Sequence, residues 1–151
     1  MNASVATHEF DLFNHALDGV QWIEASAGTG KTWTICALYL RLLLEKKLDV
    51  ERLLVVTFTK AATAELRERI RARIADLAHA IARGEPSDDP LARRWLATDA
   101  PQRWQAQLRL ERALYHFDQA AIYTVHGFCQ RALLDAPFAS AHPPEFEIQE
   151  D

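Results

Sequence analysis

An α/β fold with a parallel sheet flanked by helices is predicted from three observations. Apolar runs rich in β-branched residues alternate with stretches whose apolar residues recur at helical spacing, and a glycine-rich turn stands between the first run and the first helix. The runs are also spaced for helical crossovers, which join parallel strands right-handedly. Sheets of this kind bind ligands at the carboxyl ends of their strands.

The first run, "VQWIEA" at residues 20–25, reads as a short buried strand. Ile35, Leu38, Tyr39, Leu42 and Leu43 then fall on one helical face. "LLVVTF", Leu53 to Phe58, is a continuous apolar run of the kind found in parallel strands covered on both faces. From Lys60 the period changes: Leu66, Ile70, Ile74, Leu77 and Ile81 predict a long helix that Gly84 ends. The polar cluster "GEPSDDP" follows, and Trp95, Leu96, Trp104, Leu108, Leu110 and Leu114 predict two short helices interrupted near Pro101. Residues 85–118 therefore read as a helical insertion. "AAIYTV", Ala120 to Val125, is a third strand candidate, and a helix is expected from about Gly127 to Leu134, ahead of a proline-containing acidic tail.

Of 151 residues, 49% are hydrophobic and 25% charged, a composition that lets one domain bury a core. No run approaches the ~20 apolar residues of a transmembrane helix. The opening "MNASVATHEFDLF" has neither the basic nor the apolar region of a signal peptide, so a cytoplasmic protein is expected. Cys36 and Cys129 are far apart and read as small buried apolar residues. The net charge of −4 argues against bulk electrostatic attraction to nucleic acid. Charge is uneven, however: residues 41–82 carry nine Lys/Arg against six Asp/Glu, and residues 85–151 carry six against eleven. An anionic polymer would have to be met locally.

The glycine-rich turn supplies that kind of local chemistry. "ASAGTGKT" follows the phosphate-loop pattern G-x-x-x-x-G-K-[ST], with Ala25 in the first glycine slot. In such a loop Ala25, Ser26, Ala27, Gly28, Thr29 and Gly30 turn backbone N–H groups around phosphate oxygens at a helix start, whose dipole adds positive charge. Lys31 is the candidate for the β- and γ-phosphates, and the Thr32 hydroxyl is the candidate ligand for Mg²⁺. ATP with Mg²⁺ is the expected cofactor.

Two further segments carry a family resemblance. "LLVVTFTKAATAELRERI" (Leu53 to Ile70) resembles motif Ia of superfamily one helicases of the UvrD and Rep type, and "YTVHGFCQRALL" (Tyr123 to Leu134) resembles their motif Ib. With the phosphate loop, three motifs stand in the family's order over residues 23–134. Within that group the wording looks most like the beta, or RecB, subunits of exodeoxyribonuclease V. Gly127 favours that group over the related AddA subunits, which typically have serine there.

The resemblance implies a partial phosphate-loop NTPase domain of the RecA-like type and an ATP-dependent DNA helicase and exonuclease in double-strand-break repair and recombination. It further implies 3′ to 5′ movement on single strands entered from duplex ends, and assembly with gamma (RecC) and alpha (RecD) subunits. It points to Thr57, Phe58, Thr59, Thr124, His126 and Gly127 as DNA-binding residues. Phe58 would stack on a base and the hydroxyls and imidazole would donate to phosphate oxygens. It also implies that the strand before the phosphate loop lies beside the Thr-Phe-Thr strand.

Away from the resemblance, Phe58 reads as a core phenylalanine and His126 as a turn or core residue. Arg67, Arg69, Arg71 and Arg73 read as a solvated helix face, with Glu65 and Arg69 paired at i, i+4. Trp22, Trp33, Trp95 and Trp104 read as packing residues, and Gln21 as a strand residue in a region with no clear adenine-reading motif. No apolar run ends in an Asp-Glu pair that would hold Mg²⁺ and position water. Residues 1–151 are therefore expected to be the N-terminal part of a first motor domain, inactive alone. Two other readings stay open: a UvrD-like helicase without a nuclease, and a stand-alone nucleotide- or DNA-binding module.

Overall fold

The computed structural model describes residues 10–24, 28, 30–85 and 87–135. The described elements run α1 (Lys31–Leu44), β1 (Val55–Thr57), α2 (Lys60–Arg83), α3 (Pro90–Leu96), α4 (Ala100–Tyr115), β2 (Ile122–Thr124) and α5 (Val125–Asp135), with single 3-10 turns at Val50–Arg52 and Phe117–Gln119.

Helix α2 is the spine. Leu66, Ile70, Ile74, Leu77 and Ile81, the residues its period singles out, are all buried. Thr59 caps its start by accepting from Ala62 N at 3.1 Å, and Gly84 ends it at φ 65° with its N–H on Ala80 O. Asp89 and Asp99 cap α3 and α4 in the same manner, and each helix carries a proline in its first turn. Pro101 thus opens α4 instead of interrupting a helix, because a first-turn residue has no intrahelical N–H bond to lose. The break falls at residues 97–99, and α4 is a full 16 residues long.

The core lies where α1, α3 and α4 pack on α2, with Leu40, Ile70, Ile74, Leu77, Leu91 and Leu110 all under 2% exposed. In α1 the buried stripe is Cys36, Tyr39, Leu40, Leu43 and Leu44, rotated from the expected face, and Ile35 is 40% exposed. Burial pushes the Cys36 thiol up against the opposing pull of Arg73 and Arg69, consistent with an inert apolar role. Cys129 corrects the expectation: it is exposed on α5, none of whose residues is buried.

Two buried polar groups on α1 contrast with each other. Arg41 is satisfied: its guanidinium pairs bidentately with Glu45 at 2.8 Å and donates to Leu12 O and His15 O, so it pins the preceding segment to α1. The Tyr39 hydroxyl is buried without a hydrogen-bond partner among the described residues. Desolvation, against the opposing Arg67 charge, pushes its pKa up to about 12. A folded value above the unfolded value of 10.0 means its contribution is present below pH 10 and is lost as pH rises toward about 12. Tyr39→Phe is therefore expected to leave stability unchanged or raise it by up to about 1 kcal/mol. Urea unfolding at neutral and strongly alkaline pH checks this, since the variant should lose less stability on the alkaline side.

The described sheet is two parallel strands in the register Val55↔Ile122, Val56↔Tyr123 and Thr57↔Thr124. Parallel pairing of these two runs is as expected. Their surroundings differ from expectation in two ways. Val56 is 41% and Leu54 48% exposed, so the run at 53–58 is covered on one face only. Residues 20–24 form no strand, and Val20 and Trp22 are 100% and 90% exposed. A strand is held by its ladder, and among the described residues β1 and β2 pair only with each other. Among the described residues, 20–24 are accordingly not placed as a strand beside β1, and Ala25 lies outside them.

The remaining surface expectations divide. Glu65 and Arg69 pair at 2.6 Å as their spacing predicts. Arg67 and Arg73 are half-buried and partnered instead: Arg73 pairs with Asp89 at 2.8 Å, and Arg67 donates to the Phe117 and Ala120 carbonyls. Trp22 and Trp104 are mainly exposed instead of packed, at 90% and 64%. No described helix is long and apolar enough to cross a membrane.

Candidate functional site

Helix α1 begins without a side-chain cap. Its N-cap residue, Gly30, lies at φ 83° and ψ 24°, and Gly28 has φ 80°. A Cβ on either glycine would meet nothing within 4 Å, so the left-handed torsion, and not lack of room, requires glycine here. The first N–H groups of α1 receive no side-chain oxygen from the cap position, and they carry the positive end of the helix dipole. Such an end suits an anion. Lys31, exposed, and Thr32, half-buried, occupy its first two positions. Ala25, Ser26, Ala27 and Thr29 lie outside the described residues.

Beside this helix start Trp22, Ile23, Glu24, Lys31, Thr34, Ile35 and Leu38 line a cleft of 350 Å³. Small-molecule sites begin at about 300 Å³ and combine apolar walls with a few polar groups, as this one does. Gln21 does not line it; the side-chain amide is held by His15 at 2.9 Å and by Asp18 O at 2.9 Å. Among the described residues no three His, Cys, Asp or Glu side chains come together as a metal-holding group.

The second constellation lies at the carboxyl ends of β1 and β2. Parallel pairing brings both ends to one side, and the register sets Thr57 directly beside Thr124. The chain leaves β1 through Phe58 into the Thr59 cap of α2, and leaves β2 through Val125 into α5. Phe58 is 90% exposed, against the burial usual for phenylalanine. His126 is exposed and Gly127 half-buried.

The hydroxyls here are arranged by their own turns. Thr59 Oγ1 accepts from Ala62 N, and Thr124 Oγ1 accepts from Gly127 N at 3.0 Å. Thr57 Oγ1 lies 2.5 Å from Thr63 Oγ1, and the Thr63 hydroxyl donates to Thr59 O at 2.9 Å. A Cβ on Gly127 would stand 3.1 Å from Thr124 Oγ1, so glycine lets that cap close tightly. Thr63 is a residue that sequence reasoning passed over. Its spacing of four from Thr59 in a helix was the available signal, since a threonine there can bond the carbonyl one turn back. The structure thus brings Thr57, Phe58, Thr59, Thr124, His126 and Gly127 to one end of the sheet.

Comparison with known proteins now decides the family. The family model of the UvrD/REP helicase N-terminal domain matches residues 7–151. The chain belongs to the UvrD/REP helicase family. It is 51% identical over 145 residues to the RecBCD enzyme subunit RecB of Escherichia coli (strain K12), a match covering 89% of this chain and 12% of that protein. It is 42% identical over 147 residues to the RecB subunit of Haemophilus influenzae, again covering 89% and 12%. To the RecB subunit of Mycobacterium tuberculosis (strain H37Rv) it is 37% identical over 128 residues, covering 85% and 12%. The chain therefore spans about 12% of the length of these curated relatives.

Proposed function

We propose that residues 1–151 are the N-terminal ATP-binding part of the first motor domain of an ATP-dependent DNA helicase and exonuclease subunit, with residues 85–118 inserted in it. The fold would be the phosphate-loop, RecA-like type, acting in double-strand-break repair and recombination with gamma (RecC) and alpha (RecD) subunits. Single-stranded DNA entered from duplex ends is the polymer it would grip. The observation that carries this reading is the meeting of two turns at the carboxyl ends of β1 and β2, the first of them carrying an exposed phenylalanine.

The residues fit the cofactor that the family uses. Gly28 and Gly30 hold left-handed torsions of the kind a phosphate loop requires, and α1 adds its dipole. Residues 25–30 would cradle the phosphates, Lys31 would neutralise them, and Thr32 would hold Mg²⁺. Bound ATP supplies the phosphoryl transfer that drives movement. At the other site Phe58 offers a ring face to a base. Thr59 and Thr124 use their oxygens as acceptors in the turns, which leaves each hydroxyl proton for a phosphate oxygen. Thr57, His126 and the Gly127 turn complete the grip. None of these contacts distinguishes one base from another, as a motor requires.

Oligo-dT added to the full-length protein should accelerate its ATP hydrolysis. A hydrolysis rate indifferent to single-stranded DNA, or no hydrolysis at all, would contradict the proposal.

A further inference from the structure

Arg67 donates from Nη2 to Ala120 O at 2.8 Å and from Nη1 to Phe117 O at 3.3 Å, with its guanidinium 6.0 Å from the Phe117 ring centre. Both acceptors are buried, Phe117 at 3% and Ala120 at 1% exposed. An arginine of a solvated helix face makes no such fork on main-chain oxygens. This fork holds the point where the chain enters β2.

That point has leverage over the register. The next carbonyl, Ala121 O, accepts from Val55 N at 2.9 Å, and the ladder runs from there to Thr57 beside Thr124. The described pairing is only three residues long on each side. A two-stranded contact this short specifies its own register weakly, and a slip of one residue moves a side chain by about 3.3 Å and turns it to the other face. Arg67 itself is rigidly tied to the other half of the site. It stands eight residues beyond Thr59 on α2, or about two helical turns.

We propose that Arg67 is a positioning residue for the nucleic-acid grip: α2 acts as a ruler whose start is joined to Thr57–Thr59 through the Thr59 cap and whose Arg67 sets the height of Thr124–Gly127 beside it. The proposal rests on the DNA-binding reading of these two turns. Arg67 touches neither DNA nor nucleotide in this arrangement; it acts through the base of β2.

The test compares wild type, Arg67→Met, Arg67→Lys and Phe58→Ala in the full-length protein, using fluorescein-labelled oligo-dT and a fluorescent ATP analogue. Arg67→Met should weaken oligo-dT binding about tenfold, the worth of one charge-assisted hydrogen bond. Affinity for the nucleotide should stay within about twofold, well inside the tenfold step that one lost contact represents. The salt slope of DNA binding should be unchanged, whereas loss of a direct phosphate contact lowers it by about one. Arg67→Lys, which keeps the charge but lacks the planar fork, should lie between and guards against a methionine variant that fails to fold.

Parallel losses of DNA and nucleotide affinity in a variant with a lowered Tm would reduce Arg67 to a general structural role and overturn the proposal. Wild-type DNA affinity in both arginine variants, with Phe58→Ala still weakened, would overturn it while leaving the grip intact. No oligo-dT binding by wild type would overturn the grip and the positioning role together.

Discussion

Lys31→Ala is expected to lower ATP hydrolysis by the full-length protein by about 10²–10³-fold, the cost of removing one preorganised positive partner from developing phosphate charge. Lys31 is exposed at the first position of α1. Alanine is the best helix former, so the substitution should leave the fold and its melting temperature essentially unchanged. The loss should therefore be one of chemistry and nucleotide affinity. Oligo-dT binding without nucleotide should persist, because the strand-end turns that would grip DNA contain no residue of this helix start. Steady-state hydrolysis and an oligo-dT titration on the same preparation check both halves. Thr32→Val should reproduce the loss with a dependence on Mg²⁺ concentration, since that change removes the candidate metal ligand and keeps the shape.

Phe58→Ala is expected to weaken binding of single-stranded DNA by about 1–3 kcal/mol, or roughly 5- to 150-fold, which is what loss of one base–aromatic stack costs. The ring is 90% exposed, so almost no packing is removed with it. Stability should stay within about 0.5 kcal/mol of wild type, as for surface substitutions generally. The two outcomes together discriminate: a core phenylalanine loses several kcal/mol of stability on truncation, and a stacking platform loses affinity alone. Phe58→Trp should keep the affinity and Phe58→Leu should not, because leucine keeps apolar surface but has no ring face. Binding isotherms with oligo-dT and a urea unfolding curve for each variant supply the measurement.

The parts legible from sequence were those in which one physical cause dominates. The buried stripe of α2 follows from the spacing of Leu66, Ile70, Ile74, Leu77 and Ile81, and Gly84 ends the helix because its left-handed torsion suits glycine. The two described strands and their parallel pairing follow from apolar runs too far apart for a hairpin. What sequence could not give was the outcome of competition for partners. "VQWIEA" has strand composition, yet residues 20–24 lack a ladder neighbour and leave Trp22 exposed. Cys129 has the composition of a core residue but stands on a helix with no buried residue.

The candidate site divides along the same line. The glycines of the α1 start declare their torsions, and Gly28 and Gly30 adopt them. Phe58 shows how burial statistics mislead at a strand end, where the residue after the last ladder position can face outward whatever its hydropathy. Arg67 was illegible for another reason. Its partners are main-chain carbonyls 50 and 53 residues distant, and such acceptors leave no mark in a residue pattern. The alternate spacing of four arginines suggested a solvated helix, and two of the four instead tie α2 to the chain around it.

The most direct test of the two-site account is amide hydrogen exchange on the full-length protein, taken with a non-hydrolysable ATP analogue alone and with oligo-dT alone. The account predicts slowed exchange around residues 28–34 with the analogue, and around 57–63 and 124–128 with oligo-dT. Protection by oligo-dT that left the two strand-end turns untouched, or analogue protection that bypassed the start of α1, would contradict it.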